Sequence, residues 1–182
     1  MAVMTALSTV SCDSLLKLLL RFLSEMEFNI DTNKEVAMKW QKDALEIDTN
    51  IERLNVSLIH QFLCEESRWA KGIPLQTVEK SLSRSVNFGI YSQNRQIGFA
   101  RVISDCATFA NLVDVFVLPD YRHQGIATWL LNCIVEHPDL QGLRRWTLAA
   151  TPEGQNLYRK IGFAELSKPE IFMERFFPSI YQ

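Results

Sequence analysis

Residues 44–182 predict a mixed α/β domain, in which short strands and helices share one sheet. Three observations carry this. A polar turn, Ser92-Gln93-Asn94-Arg95, separates two apolar segments and reads as a hairpin. The run 112–118 is nearly all apolar and reads as a central strand buried on both faces. Beyond Gly125 the period becomes helical, with Ile126, Ala127, Leu130, Leu131, Ile134 and Val135 recurring on one side. Strands and helices do not alternate one for one, which excludes a doubly wound arrangement.

Taken in order, residues 14–28 form an amphipathic pattern around the leucine-rich run 15–23. That run is too short, and too interrupted by Lys17 and Arg21, to span a bilayer. Asp13 stands where a secretory signal wants a basic region, and Asp13, Glu25 and Glu27 argue against a transit peptide. The segment is expected as an added helix, docked on the domain or used in self-association as a homodimer. A polar stretch near residues 29–43 then sets the boundary: an N-terminal helical extension over 1–43 and a folded domain over 44–182. Leu45-Glu46-Ile47 alternates like a short strand, and Asn55 caps a helix with Leu58, Ile59, Phe62 and Leu63 on one face. Gly72-Ile73-Pro74 breaks the chain before a short helix over 75–82. The hairpin strands cover 86–91 and 96–103. Pro119-Asp120 ends the central strand, and His137-Pro138 stops the helix that opens at Gly125. A strand over 146–150, a short helix over 157–161 closed by Gly162, and final strands over 163–166 and 171–174 complete the reading.

Composition bounds the function. Hydrophobic residues make up 47% and charged residues 22% of the 182, enough for a core without disulfides or structural metal. The net charge of −2 argues against broad capture of nucleic acid, which needs clustered Lys and Arg. Cys12, Cys64, Cys106 and Cys133 are irregularly spaced, and no two of the three histidines sit at metal-ligand spacing, so no metal is expected. A reducing, cytoplasmic setting follows as the default.

The chemistry concentrates where the strand over 112–118 passes into the helix at Gly125, through Asp120-Tyr121-Arg122-His123-Gln124-Gly125-Ile126-Ala127. A helix N-terminus presents unpaired backbone N–H groups and the positive end of the helix dipole, which together suit an anion. Gly125 permits close approach, Ala127 keeps the first turn slim, and Arg122 adds a charge with forked donors for phosphate. Both G-x-x-x-x-G-K-[ST] and G-x-G-x-x-G are absent.

Arg122-His123-Gln124-Gly125-Ile126-Ala127 reads R-x-x-G-x-A and resembles the pyrophosphate loop of the GNAT N-acetyltransferase superfamily. Val113-Asp114-Val115-Phe116-Val117 before it, and Leu157-Tyr158-Arg159-Lys160-Ile161-Gly162-Phe163 after it, strengthen the resemblance, which covers about residues 45–175. It implies a mostly antiparallel sheet of about six to seven strands with a splayed parallel pair. It implies acetyl-CoA in the cleft of that pair, with the main chain of Val115, Phe116 and Val117 along the pantetheine arm. Arg122 and the N–H groups of His123, Gln124, Gly125, Ile126 and Ala127 would hold the pyrophosphate. Tyr158 matches the tyrosine that protonates the departing thiolate, and an amine acceptor, small molecule or peptide, must lose a proton to a base. Asp114 is the first candidate for that base. Each assignment has a plainer counterpart: Tyr158 as a packing residue beside Leu157 and Ile161, Asp114 as an ion-pair partner of Arg101. Trp69, Arg68 and Lys71 precede the break where relatives build the acceptor pocket; the plainer reading makes Trp69 a loop anchor. His123, Gln124 and the segment 151–156 depart from the common pattern. The implied activity is direct acetyl transfer to a primary amine; the alternative is a catalytically weak acyl-CoA sensor.

Overall fold

A meander of hairpins builds the sheet in chain order. The computed structural model describes residues 37–181; the helix expected over 14–28 lies outside them. Strands β1 (Lys39–Lys42), β2 (Leu45–Asp48), β3 (Val86–Ser92), β4 (Arg95–Ser104), β5 (Phe109–Val117) and β6 (Arg145–Leu148) are neighbours in that same sequence. All junctions are antiparallel except β5 with β6, which is parallel. Helices α1 (Val56–Gln61) and α2 (Leu75–Leu82) fill the connection from β2 to β3; α3 (Ile126–Val135) makes the crossover from β5 to β6, and α4 (Pro152–Arg159) follows β6.

The β3–β4 hairpin turns at Gln93 and Asn94, both at positive φ (49° and 65°). Two such residues give the backbone twist that a two-residue hairpin loop requires. Asn55 caps α1 as expected, its side chain accepting from the Leu58 N–H at 3.0 Å. Beyond Gln61 the helix widens into a π-turn over Phe62–Glu66. Ser67 closes that turn: its hydroxyl donates to the Leu63 carbonyl at 2.6 Å and accepts from the Ala70 N–H at 3.1 Å.

Alternation along the strands sends apolar side chains to both faces. On one, Phe88, Ile90, Val102 and Leu112 pack with Leu130, Leu131 and Ile134 of α3. On the other, Phe99 and Phe116 meet Ile59, Phe62, Leu63, Val78 and Leu82. The Phe62 and Phe116 rings stack with centroids 3.9 Å apart. Burying each such side chain is worth about 1.5–3 kcal/mol relative to leaving it in water.

The structure departs from the sequence reading at both ends. Residues 39–42, expected within the N-terminal extension, are β1; only Trp40 of Lys39-Trp40-Gln41-Lys42 is apolar, too little for periodicity to register. No strand forms over 163–166 or 171–174. Phe163 is drawn back onto α4 by its N–H bond to the Tyr158 carbonyl, and a 3₁₀ turn opens at Pro169. Apolar, β-favouring composition makes no strand without a neighbour to pair with. Further, α4 starts at Pro152, earlier than the expected 157, because Thr151 accepts from the Gly154 N–H and Pro152 takes the first helical position.

Candidate functional site

The parallel seam is short. Phe109 to Leu112 pair with Arg145 to Leu148, but β5 runs on to Val117 after β6 has ended. Along Val113 to Val117 the side of β5 that faces away from β4 therefore has no strand partner among the described residues.

That same stretch carries a bulge. Phe99 pairs with Phe116 and Arg101 with Val113, so Asp114 and Val115 face the single residue Ala100. Asp114 takes the left-handed conformation (φ 55°), which Asp tolerates better than most residues. Its buried carboxylate is held from two directions. Arg101 Nε donates to Oδ2 at 2.5 Å and Trp69 Nε1 donates to Oδ1 at 2.9 Å. Arg101 is steadied in turn by Ser85 Oγ at 3.1 Å. The Arg101 partnership and the anchoring of Trp69 are the plainer readings named above. The indole, although tethered, stays 56% exposed. One residue before it, Arg68 adds to the influences on Glu153, whose carboxyl is held below its usual range by its own backbone N–H first, then by the Thr151 hydroxyl. The loop after the π-turn thus lies within electrostatic reach of the start of α4.

From Val117 the chain turns through Pro119–Tyr121 into α3. Arg122 folds back so that its Nε donates to the Val117 carbonyl at 2.9 Å, which fixes the guanidinium at the end of β5. His123 (φ 62°) and Gly125 (φ 76°) are both left-handed. No side chain caps α3, and the Trp129 N–H is the first to reach a helical acceptor, the Gly125 carbonyl. The first-turn N–H groups remain directed outward. A Cβ placed on Gly125 would meet nothing within 4 Å. Unpaired donors, an open cradle and an adjacent guanidinium fit a phosphate-bearing ligand.

Tyr158 sits on α4, half-buried, its ring edge-on to Phe163 at 6.3 Å. Burial raises its phenol above the ordinary value of 10.0, so it holds its proton at neutral pH. Among the described residues it shares no hydrogen bond with Asp114 or the 122–127 loop. The structure therefore gathers Asp114 to Val117 and 122–127 along one edge, with Tyr158 on the helix that adjoins α3. Sequence reasoning had no means of finding Ser85 and Ser67, the supports of the Asp114 cluster and the Trp69 loop. No local pattern marks such residues.

Residues 83–165 match the family model for an acetyltransferase (GNAT) domain. A solved structure from Xanthomonas campestris pv. campestris, a putative acetyltransferase belonging to the GNAT family, is 42% identical with a TM-score of 0.74. The similarity covers 78% of this chain and 99% of that one. This chain belongs to the GNAT acetyltransferase family. Among curated relatives, the N-acetyltransferase ycf52 of Gracilaria tenuistipitata var. liui is 32% identical over 56% of this chain. The match spans only 58% of that protein's length. A putative acetyltransferase of Gibberella zeae is 29% identical over 66% of this chain and 82% of its own. The GNAT fold is also shared with an aminoglycoside N-acetyltransferase solved in complex with CoA, at 21% identity and a TM-score of 0.51. Among the described residues of this GNAT domain no helix is long and apolar enough to cross a membrane, and no cluster of His, Cys, Asp and Glu could hold a metal.

Proposed function

We propose that this protein transfers the acetyl group of acetyl-CoA to a primary amine. The observation that carries this reading is the continuity of the partnerless edge of β5 with the open helix N-terminus behind it. Acetyl-CoA, when bound, supplies an activated thioester. Arg122 and the N–H groups of His123 to Ala127 hold its pyrophosphate, and the main chain of Val115 to Val117 pairs with the amide-bearing arm as an edge strand pairs with its neighbour. Tyr158, protonated at neutral pH, donates its proton to the leaving sulfur.

Asp114 takes a different part from the general base first expected. Arg101 neutralises its charge and each oxygen already accepts a bond, so we assign it to positioning: it maintains the bulge and tethers Trp69 beside the cleft. The proton of the incoming amine then leaves through water. The aminoglycoside acetyltransferase that shares this fold has been solved with a bisubstrate analogue joining CoA to acetylneamine. It supports an amine as the acceptor class.

Consumption of acetyl-CoA measured across a panel of small amines, amino acids and lysine peptides tests the reading. At least one amine should accelerate thiol release far above the rate with water alone. Saturable acetyl-CoA binding with no amine-dependent release would instead identify a sensor, and no binding would refute the site itself.

A further inference from the structure

After α4 the chain forms a strap whose two ends are fixed. At one end the Phe163 ring packs edge-on against Trp146 and Tyr158, with centroids 6.3 Å from each. At the other, Tyr181 joins the apolar cluster of α1 and α2, and its carbonyl lies where a Cβ on Gly72 would come within 2.8 Å. Between these anchors the strap turns its large apolar groups to solvent: Met173 is 97% exposed, Phe176 71%, Ile180 68% and Ile171 61%, with Phe172 and Phe177 exposed beside them. At about 150–250 Å² for a large side chain, these six present roughly 600–800 Å² of apolar surface.

Contiguous apolar patches of this size on a soluble domain mark contact with a partner. A standard interface takes about 800 Å² from each side, so the strap alone approaches one whole side. Its charges argue against a membrane surface or a nucleic acid as the occupant. Lys168 and Arg175 balance Glu170 and Glu174, whereas an anionic membrane surface or a nucleic acid would call for an excess of basic groups. A balanced patch does not repel its own copy, which is the condition an isologous contact must meet. The backbone agrees: residues 173–176 neither donate nor accept a backbone–backbone hydrogen bond among the described residues. Their N–H and C=O groups are available for pairing across an interface.

We infer that the strap over 171–180 is the interface of a two-fold homodimer, packed against the strap of a second copy. Light scattering of the full chain at tens of micromolar should give about twice the 21.0 kDa chain mass. The double variant Met173→Glu/Phe176→Glu should run as a folded monomer with an unchanged thermal shift on adding acetyl-CoA. Hydrogen exchange at residues 173–176 of the unaltered chain should slow as protein concentration rises. That measurement decides the matter even if the variant fails to fold. A monomeric wild type, a dimer that survives the double substitution (one held by residues 14–28, for example), or exchange independent of concentration would each overturn the inference. None of these readouts requires acetyl transfer, so this interface and the proposed activity can fail separately.

Discussion

Replacement of Gly125 separates two demands that one residue meets. Its φ of 76° is left-handed, and its missing Cβ leaves the cradle open with nothing within 4 Å. In Gly125→Ala the backbone penalty is about 1–2 kcal/mol, because an L residue is forced into the left-handed region while no steric clash is added. At about 2–4 °C per kcal/mol for a domain of this size, melting should fall by roughly 2–8 °C. Gly125→Asn should recover most of that loss, since Asn tolerates the left-handed conformation. Neither variant should recover acetyl-CoA binding, because each fills the space where the pyrophosphate must approach the N–H groups. Thermal unfolding with and without ligand reads both effects. In wild type, ligand at a hundredfold excess over its Kd adds about 2.7 kcal/mol, and in both variants this gain should vanish. A Gly125→Asn protein stabilised by acetyl-CoA as strongly as wild type would refute the reasoning and reduce Gly125 to a conformational requirement.

Other substitutions test the remaining assignments. Tyr158→Phe should lower kcat by about 10²–10⁴ while leaving the acetyl-CoA thermal shift intact; an unchanged kcat in a folded variant removes Tyr158 from the chemistry. Because burial raises that phenol, the alkaline loss of wild-type activity should lie above pH 10 rather than below it. Asp114→Asn and Trp69→Phe should raise the acceptor KM together, since each breaks the same tether. A large fall in kcat for Asp114→Asn alone, with a shifted acid limb of the pH profile, would restore Asp114 as the base. Tyr91 offers a stability test. Its hydroxyl is buried without a hydrogen-bond partner among the described residues, and burial pushes the phenol up to about 12. The unfolded chain releases that proton near pH 10, so stability should decline by about 2–3 kcal/mol as pH rises from 10 to 12. Tyr91→Phe should remove this decline and gain about 1 kcal/mol at neutral pH; denaturant melts at both pH values measure it.

The parts of the site that were legible in the sequence are those encoded within a few consecutive residues. The loop 122–127 combines a glycine, an arginine and a helix start in a single stretch, and the 92–95 turn sits between two alternating strands. What escaped depends on residues distant in sequence. Trp69 and Asp114 are separated by 45 positions, and nothing in either neighbourhood announces their bond. Arg101 and Asp114 lie on strands the reading made neighbours, so that pair could be named, but the left-handed bulge that turns Asp114 toward both donors could not. At 171–174 the composition favours a strand, yet strand formation depends on an available partner, which the described residues do not supply. Lys39 to Lys42 is the converse: a polar segment that becomes a strand because the two-residue turn at Asp43 (φ 53°) folds it onto β2.

Strand order has a consequence for how the molecule assembles and opens. Every antiparallel junction from β1 to β5 joins strands consecutive in the chain, and the β3–β4 and β4–β5 hairpins close over very short connections. Those two hairpins form early and cost little loop entropy. The seam between β5 and β6 must await α3, is held by four residue pairs, and alone in the described sheet has the geometry of a parallel ladder. Local opening there is expected at a free energy below that of global unfolding. The acetyl-donor site proposed above lies beside this joint, so a ligand held there would brace a short parallel seam.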